Sequence, residues 1–130
     1  MTTSSFKTGY DGVSFLAGNA AYDPPATGLF AGGWIGSALN TIDYITISST
    51  GNAIDFGDLT EAREGAGAGA SSTRAVFGGG WTGSSNSNVI DYITIASTGN
   101  ATDFGDLTLA RYDVAGCSNS TRAIFAGGGT

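Results

Sequence analysis

The sequence predicts an all-β protein built from a repeated unit of short antiparallel strands. Three observations carry this. Glycine supplies 22 of the 130 residues, with only two prolines and no Gly-x-y period; average chains hold ~7% glycine, so this one is rich in turns without being collagen-like. Seven Phe, five Tyr and two Trp sit in short β-branched and aromatic runs bounded by Gly, Ser, Thr and Asn, which marks strands and turns around a packed core rather than disorder. Finally, long stretches of the chain recur 48 residues later, and a fixed period of this size is the signature of a repeat architecture.

Residues 1–27 precede the repeat. They read as an N-terminal arm or a partial first unit, with one strand expected within Ser14–Ala21 and with Pro24-Pro25 separating it from the repeat region. The repeat region spans 28–130. Phe30-Ala31-Gly32-Gly33-Trp34 returns as Phe77-Gly78-Gly79-Gly80-Trp81 at an offset of 47. All later matches are offset by 48, so one residue enters the polar loop Ser84–Asn88, where a surface loop tolerates it. Ile42–Ile47 and Val89–Ile95 are apolar on both faces and read as strands covered on both sides. Thr50-Gly51-Asn52 and Thr98-Gly99-Asn100 read as hairpin turns, since Gly and Asn tolerate positive φ. Ile54–Leu59 and Thr102–Leu107 are strands interrupted by Gly57 and Gly105, where a bulge or a close backbone approach is expected. Ala66–Ala70 and Tyr112–Gly116 form a weaker strand pair; the run Gly65–Gly69 is too poor in side chains to stand alone and suits a crowded inner position. Arg74–Phe77 and Arg122–Phe125 complete the set, each ended by glycines. No helix is expected.

Composition excludes whole function classes. The chain has no histidine, hence no Ser-His-Asp or Cys-His catalysis and no imidazole metal ligand. Its net charge is −6, with Lys7 and four arginines as the only cations, so no phosphate-binding surface is available and nucleic acid is not an expected partner. Cys117 is alone and reads as a small packed residue. Met1–Lys7 lacks the apolar stretch of a signal peptide, and no run reaches the ~20 apolar residues of a membrane helix, so no membrane insertion is expected.

The repeat also assigns roles to the charges. The arginines occupy two repeat positions, Arg63/Arg111 and Arg74/Arg122; six of the eleven acids occupy three, Asp43/Asp91, Asp55/Asp103 and Asp58/Asp106. A catalytic centre breaks repeat symmetry, and these charges follow it, so they are expected to be structural. Pairing with the arginines or capping of a turn is the expected role of Asp55, Asp58, Asp103 and Asp106. Ca²⁺ is the one ion their hard oxygens could suit, but the spaced third and fourth acid of a dedicated loop is missing. No cofactor is expected. Gly78–Gly83 formally matches Gly-x-Gly-x-x-Gly, yet a polar loop comes next instead of the required helix.

Four short strands per ~40–50 residues is the arithmetic of a β-propeller blade. The order Leu-Thr-x-Ala-Arg (59–63, 107–111), small-residue strand, Arg-Ala-Val-Phe-Gly-Gly (74–79), polar loop, Val-Ile-Asp-Tyr (89–92) and Thr-Gly turn resembles the kelch repeat over residues 28–128. The resemblance places the family's double glycine at Gly32-Gly33, Gly78-Gly79 and Gly127-Gly128, its tyrosine at Tyr44 and Tyr92, and Phe56 and Phe104 where the family has Trp. It implies kelch-like four-stranded antiparallel blades, about two and a part per chain, and residues 1–27 would then be an arm or a partial first blade. A ring needs ~4–8 blades, so closure requires further chains, with a homotrimer of six blades favoured and swapped strands at the joins. The glycine-rich character, with Thr41–Ile47 and Phe56–Thr60, is similar to virion proteins of tailed bacteriophages.

The expected function is therefore a non-enzymatic structural protein that oligomerises through blade faces and edges and joins a larger particle such as a capsid or tail, with a virion location. Kelch-type oxidases use His and Tyr metal ligands, and this chain has no His. The alternative is a glycan- or receptor-binding module. It would use Trp34 and Trp81, whose rings could stack on sugars, with Asn86 and Asn88 of loop 82–88.

Overall fold

The structure is a computed structural model and describes residues 27–130. The strand expected within 14–21, and the arm apart from Thr27, lie outside the described residues. Nine strands run in order: β1 (Thr27–Ala31), β2 (Thr41–Thr46), β3 (Ile54–Asp58), β4 (Gly67–Ala70), β5 (Arg74–Gly78), β6 (Val89–Thr94), β7 (Thr102–Asp106), β8 (Ala115–Ser118) and β9 (Ala123–Ala126). They form three antiparallel sheets of consecutive strands, β1-β2-β3, β4-β5-β6-β7 and β8-β9. Among the described residues there is no helix and no closed barrel or ring.

The repeat is visible in the pairing. Phe30 faces Asp43 across β1 and β2 as Phe77 faces Asp91 across β5 and β6. Register shifts opposite Gly57 and Gly105, between Ile42 and Asp43 and between Ile90 and Asp91. This is the expected bulge, with glycine φ values of 147° and 139°. The bulge places Phe56 and Phe104 edge-on to Tyr44 and Tyr92, with centroids 5.8 and 6.0 Å apart. The inserted residue is also visible: Trp34 bridges to Ala38, whereas Trp81 bridges to Asn86, one residue farther.

Three local expectations are corrected. The strand expected at Tyr112–Gly116 begins only at Ala115, because Asp113 takes a left-handed φ of 52° and Tyr112 bridges to Gly129. The equivalent of Gly32-Gly33 is Gly79-Gly80 rather than Gly78-Gly79, with φ values of 70°, 131°, 72° and 117°. A Cβ at Gly32 or Gly79 would overlap the carbonyl of Arg63 or Arg111. The hairpins reverse at Thr46–Ser49 and Thr94–Ser97, one step before the Thr-Gly-Asn segments. Gly99 and Ala101 instead donate to the Phe56 and Asp58 carbonyls at 2.7 Å, and Asn100 accepts from the Asp58 N–H at 3.1 Å. This segment straps the second sheet to the first.

The core lies between these two sheets. Leu29, Ile42, Phe56 and Leu59 from the first pack on Ala70, Ala75, Phe77 and Ile93 from the second. The third sheet lies on the opposite face of β4 and β5. Gly67, Gly69 and Gly78 leave room there for Phe125, Ser118 and Ala123, and a Cβ on Gly116 would overlap the Ala68 backbone. The small-residue strand therefore does occupy a crowded place, held between sheets.

Candidate functional site

The most elaborate polar arrangement sits where the first sheet meets the second. The segment after β3 crosses from one to the other. Arg63 donates its N–H to Leu39 O at 2.9 Å, its carbonyl accepts from Gly33 at 3.0 Å, and Glu64 exchanges two hydrogen bonds with Trp81. This fixed backbone drives the Arg63 side chain under β5 and β6. Its Nη2 donates to Asp91 Oδ2 at 2.8 Å and to Phe77 O at 3.2 Å; Nη1 donates to Val89 O at 3.0 Å and lies 4.0 Å from Glu61. Thr60 adds its N–H and its hydroxyl to the Asp91 carboxylate. Arg63 and Asp91 are both fully buried. Burial pushes the Arg63 pKa down, opposed by the Asp91 and Glu61 carboxylates; no accessible pH discharges a guanidinium. Such a pair adds little net stability compared with apolar packing, but breaking it is costly. It acts as a latch between sheets.

The same backbone recurs one repeat on, without the latch. Arg111 donates its N–H to Ser87 O at 3.1 Å and its carbonyl accepts from Gly80 at 2.8 Å, as at Arg63. Its side chain, however, reaches only Gly127 O at 3.3 Å; its Nε, like that of Arg63, lacks a partner. The remaining repeat charges behave differently. Arg74 stacks over Tyr92, 4.7 Å from the ring centroid. Arg122 is exposed, with its N–H held by Asn119 at 2.9 Å. Asp103 accepts from the Gly105 N–H at 3.2 Å, a turn cap. Among the described residues, Asp43, Asp55, Asp58, Asp103 and Asp106 pair with no arginine; the pairing expected for Asp55, Asp58, Asp103 and Asp106 does not form, and Arg63 pairs with Asp91 instead.

The tryptophans also differ from one another. Trp81 is half-buried, bridged to Glu64 and Asn86 and edge-on to Tyr112 at 6.4 Å. Trp34 is 47% exposed, with its six-membered ring beside Gly83. Asn86 and Asn88 are half-buried; Asn88 O accepts from Leu107 at 2.7 Å, so it serves the backbone. Among the described residues no group of three His, Cys, Asp or Glu side chains is placed to hold a metal ion, and no helix is long and apolar enough to cross a membrane.

Sequence reasoning found Arg63 and Asp91 but missed Thr60, Glu61 and Ser87. Thr60 recurs as Thr108, so the repeat carried its signal. Glu61 and Ser87 share a 2.6 Å hydrogen bond, and their signal was the opposite one: both break the repeat, as Leu109 and Leu39 stand at the equivalent positions. No protein-family model and no curated protein matches the chain.

Proposed function

We propose that this is a non-enzymatic structural protein whose blade-like sheets assemble with further copies, into a ring of propeller type, and through that assembly join a larger particle. One observation carries this reading. The face that buries Phe56 to 3% exposure in the first sheet leaves its repeat equivalent, Phe104, 56% exposed in the second. A bare copy of a surface that is core elsewhere in the same chain is a binding surface. The opposite end is bare as well, with Phe30 59% and Ile47 48% exposed. The resemblance to glycine-rich repeats of phage virion proteins points to a virion as the particle. Light scattering on the intact chain tests the assembly. The expected mass is a multiple of 13.0 kDa, with the trimer favoured; a monomer at all concentrations refutes it.

A second reading draws on Trp34 alone. Its half-exposed indole beside the polar loop at Gly83 offers a stacking face for a sugar ring. Trp81 is half-buried with its ring against Tyr112, so less of it is open to a ligand. Glycan-array binding that disappears in Trp34→Ala supports this reading; binding unchanged by it refutes it.

A further inference from the structure

The contact between the first and second sheets specifies what the bare face of the second sheet should bind. That face presents half-buried Val76, Ile90 and Tyr92 and exposed Phe104, the repeat equivalents of Leu29, Ile42, Tyr44 and Phe56. β8 and β9 cover only its β4–β5 half. Beside them a cleft of about 430 Å³ remains, lined by Val76, Ile90, Phe104, Ser118, Arg122 and Phe125. In the first contact, the equivalent space is filled by β6, the strap at Gly99 and the Asp91 carboxylate.

The chain carries that missing half at its other end. β2 holds Asp43 and Ile45 where β6 holds Asp91 and Ile93, and Gly51-Asn52 stands for Gly99-Asn100. Asp43 has no arginine one repeat upstream, because that position is Leu16. Arg111 and Thr108 stand ready in the latch positions of Arg63 and Thr60. Gly105 has nothing within 4 Å of where a Cβ would sit, whereas its equivalent Gly57 lies against the Gly99 strap. The departures from the repeat match too. Glu61 meets Ser87 inside the chain; their equivalents, Leu109 and Leu39, are both apolar. A polar pair has been replaced on both sides at once, as complementary surfaces require.

Edge pairing agrees with the faces. Among the described residues β9 pairs only with β8. Its sequence Ile124-Phe125-Ala126-Gly127-Gly128 nearly repeats Leu29-Phe30-Ala31-Gly32-Gly33, which forms β1 and the turn after it. β9 can therefore take the place of β1 on β2, setting Phe125 opposite Asp43 as Phe30 is now.

We propose that a second copy of this chain docks on the bare face by its β2–β3 hairpin, with β9 replacing β1 at the β2 edge and Arg111 of one copy closing on Asp43 of the next. The proposal rests on the assembly reading and names its junction. β8-β9 of one copy and β2-β3 of the next become one four-stranded sheet like β4-β5-β6-β7. Each copy then contributes two complete sheets and three copies make six. The contact is heterologous, head to tail, so it builds a ring where its rotation closes.

Sedimentation of the full chain across a concentration series tests this, together with alkylation of the exposed Cys117. Cys117 is the equivalent of the buried Gly69, and the junction would cover it with Ala70 and Ala75 of the next copy. The expected result is association that protects Cys117, falls at least about tenfold in Arg111→Glu and in Asp43→Arg, and returns in the double variant carrying both changes. Circular dichroism checks that each variant keeps its strands, and the Cys117 readout on the unaltered chain needs no variant. Association indifferent to both substitutions, with Cys117 open, overturns the junction and leaves the assembly reading standing. A chain that stays monomeric overturns both.

Discussion

Arg63 and Arg111 occupy one repeat position in two environments, which makes them a matched pair for measuring the latch. Arg63→Met keeps most of the aliphatic stem and removes the guanidinium. Asp91, fully buried, loses its 2.8 Å ion pair and keeps only the two hydrogen bonds from Thr60. Leaving one member of a buried pair behind costs ~3–5 kcal/mol. The bonds from Thr60 remain, so the lower end applies, about 3 kcal/mol. With a urea dependence of ~1–3 kcal/mol per molar, the unfolding midpoint falls by roughly 1–3 M. Arg111→Met removes one 3.3 Å hydrogen bond from a half-buried side chain and costs under about 1 kcal/mol. Urea unfolding followed by circular dichroism reads both, at a dilution where light scattering shows single chains, because association would add stability of its own. The double variant Arg63→Met/Asp91→Leu recovers most of the loss, since replacing a buried pair by apolar groups is close to neutral. Equal midpoints for Arg63→Met and Arg111→Met, or no recovery in the double variant, would refute the latch.

Two further matched pairs test the same asymmetry. Gly57→Ala and Gly105→Ala both force alanine to a positive φ, but only at Gly57 does the new Cβ overlap the Gly99 carbonyl; Gly57→Ala therefore melts well below Gly105→Ala in a thermal scan of dilute protein, and equal melting temperatures would contradict the strap. Phe56→Ala removes a ring that is 3% exposed and costs ~3–5 kcal/mol in a urea titration. Phe104→Ala removes one that is 56% exposed, costs less than half as much, and weakens self-association instead; a similar loss at both positions would mean that the bare face is not bare in solution.

Much of the fold was legible because the repeat averages out local ambiguity. The strand order, the bulges at Gly57 and Gly105 and the residue inserted after Trp81 each recur or fail to recur in register. The features that escaped were set by neighbours far along the chain. Thr98-Gly99-Asn100 looks like a hairpin turn because Gly and Asn suit turns; nothing local says that β3 of another sheet lies against it. The start of β8 was misplaced because Asp113 stands where the first copy has Gly65, and both are left-handed, at 52° and 65°. The double glycine was misaligned because Gly78, Gly79 and Gly80 run together, and only the distant carbonyls of Arg111 and Glu64, against Gly79 and Gly80, distinguish which of them must lack a Cβ.

The site obeyed a different logic. Repeat symmetry marked Arg63 and Asp91 as structural charges, and the two meet in a buried pair, but the same symmetry hid the fact that Arg111 and Phe104 repeat Arg63 and Phe56 in less covered surroundings. Burial belongs to an interface, and an interface has two sides. A repeat position therefore says what a residue can bind, while its exposure says whether that partner is present. The positions that break the repeat then carry the remaining information. Glu61 with Ser87 and Leu109 with Leu39 differ in chemistry yet agree within each pair. Drift on a free surface would leave such changes uncorrelated, whereas a contact between copies requires each side to change with the other.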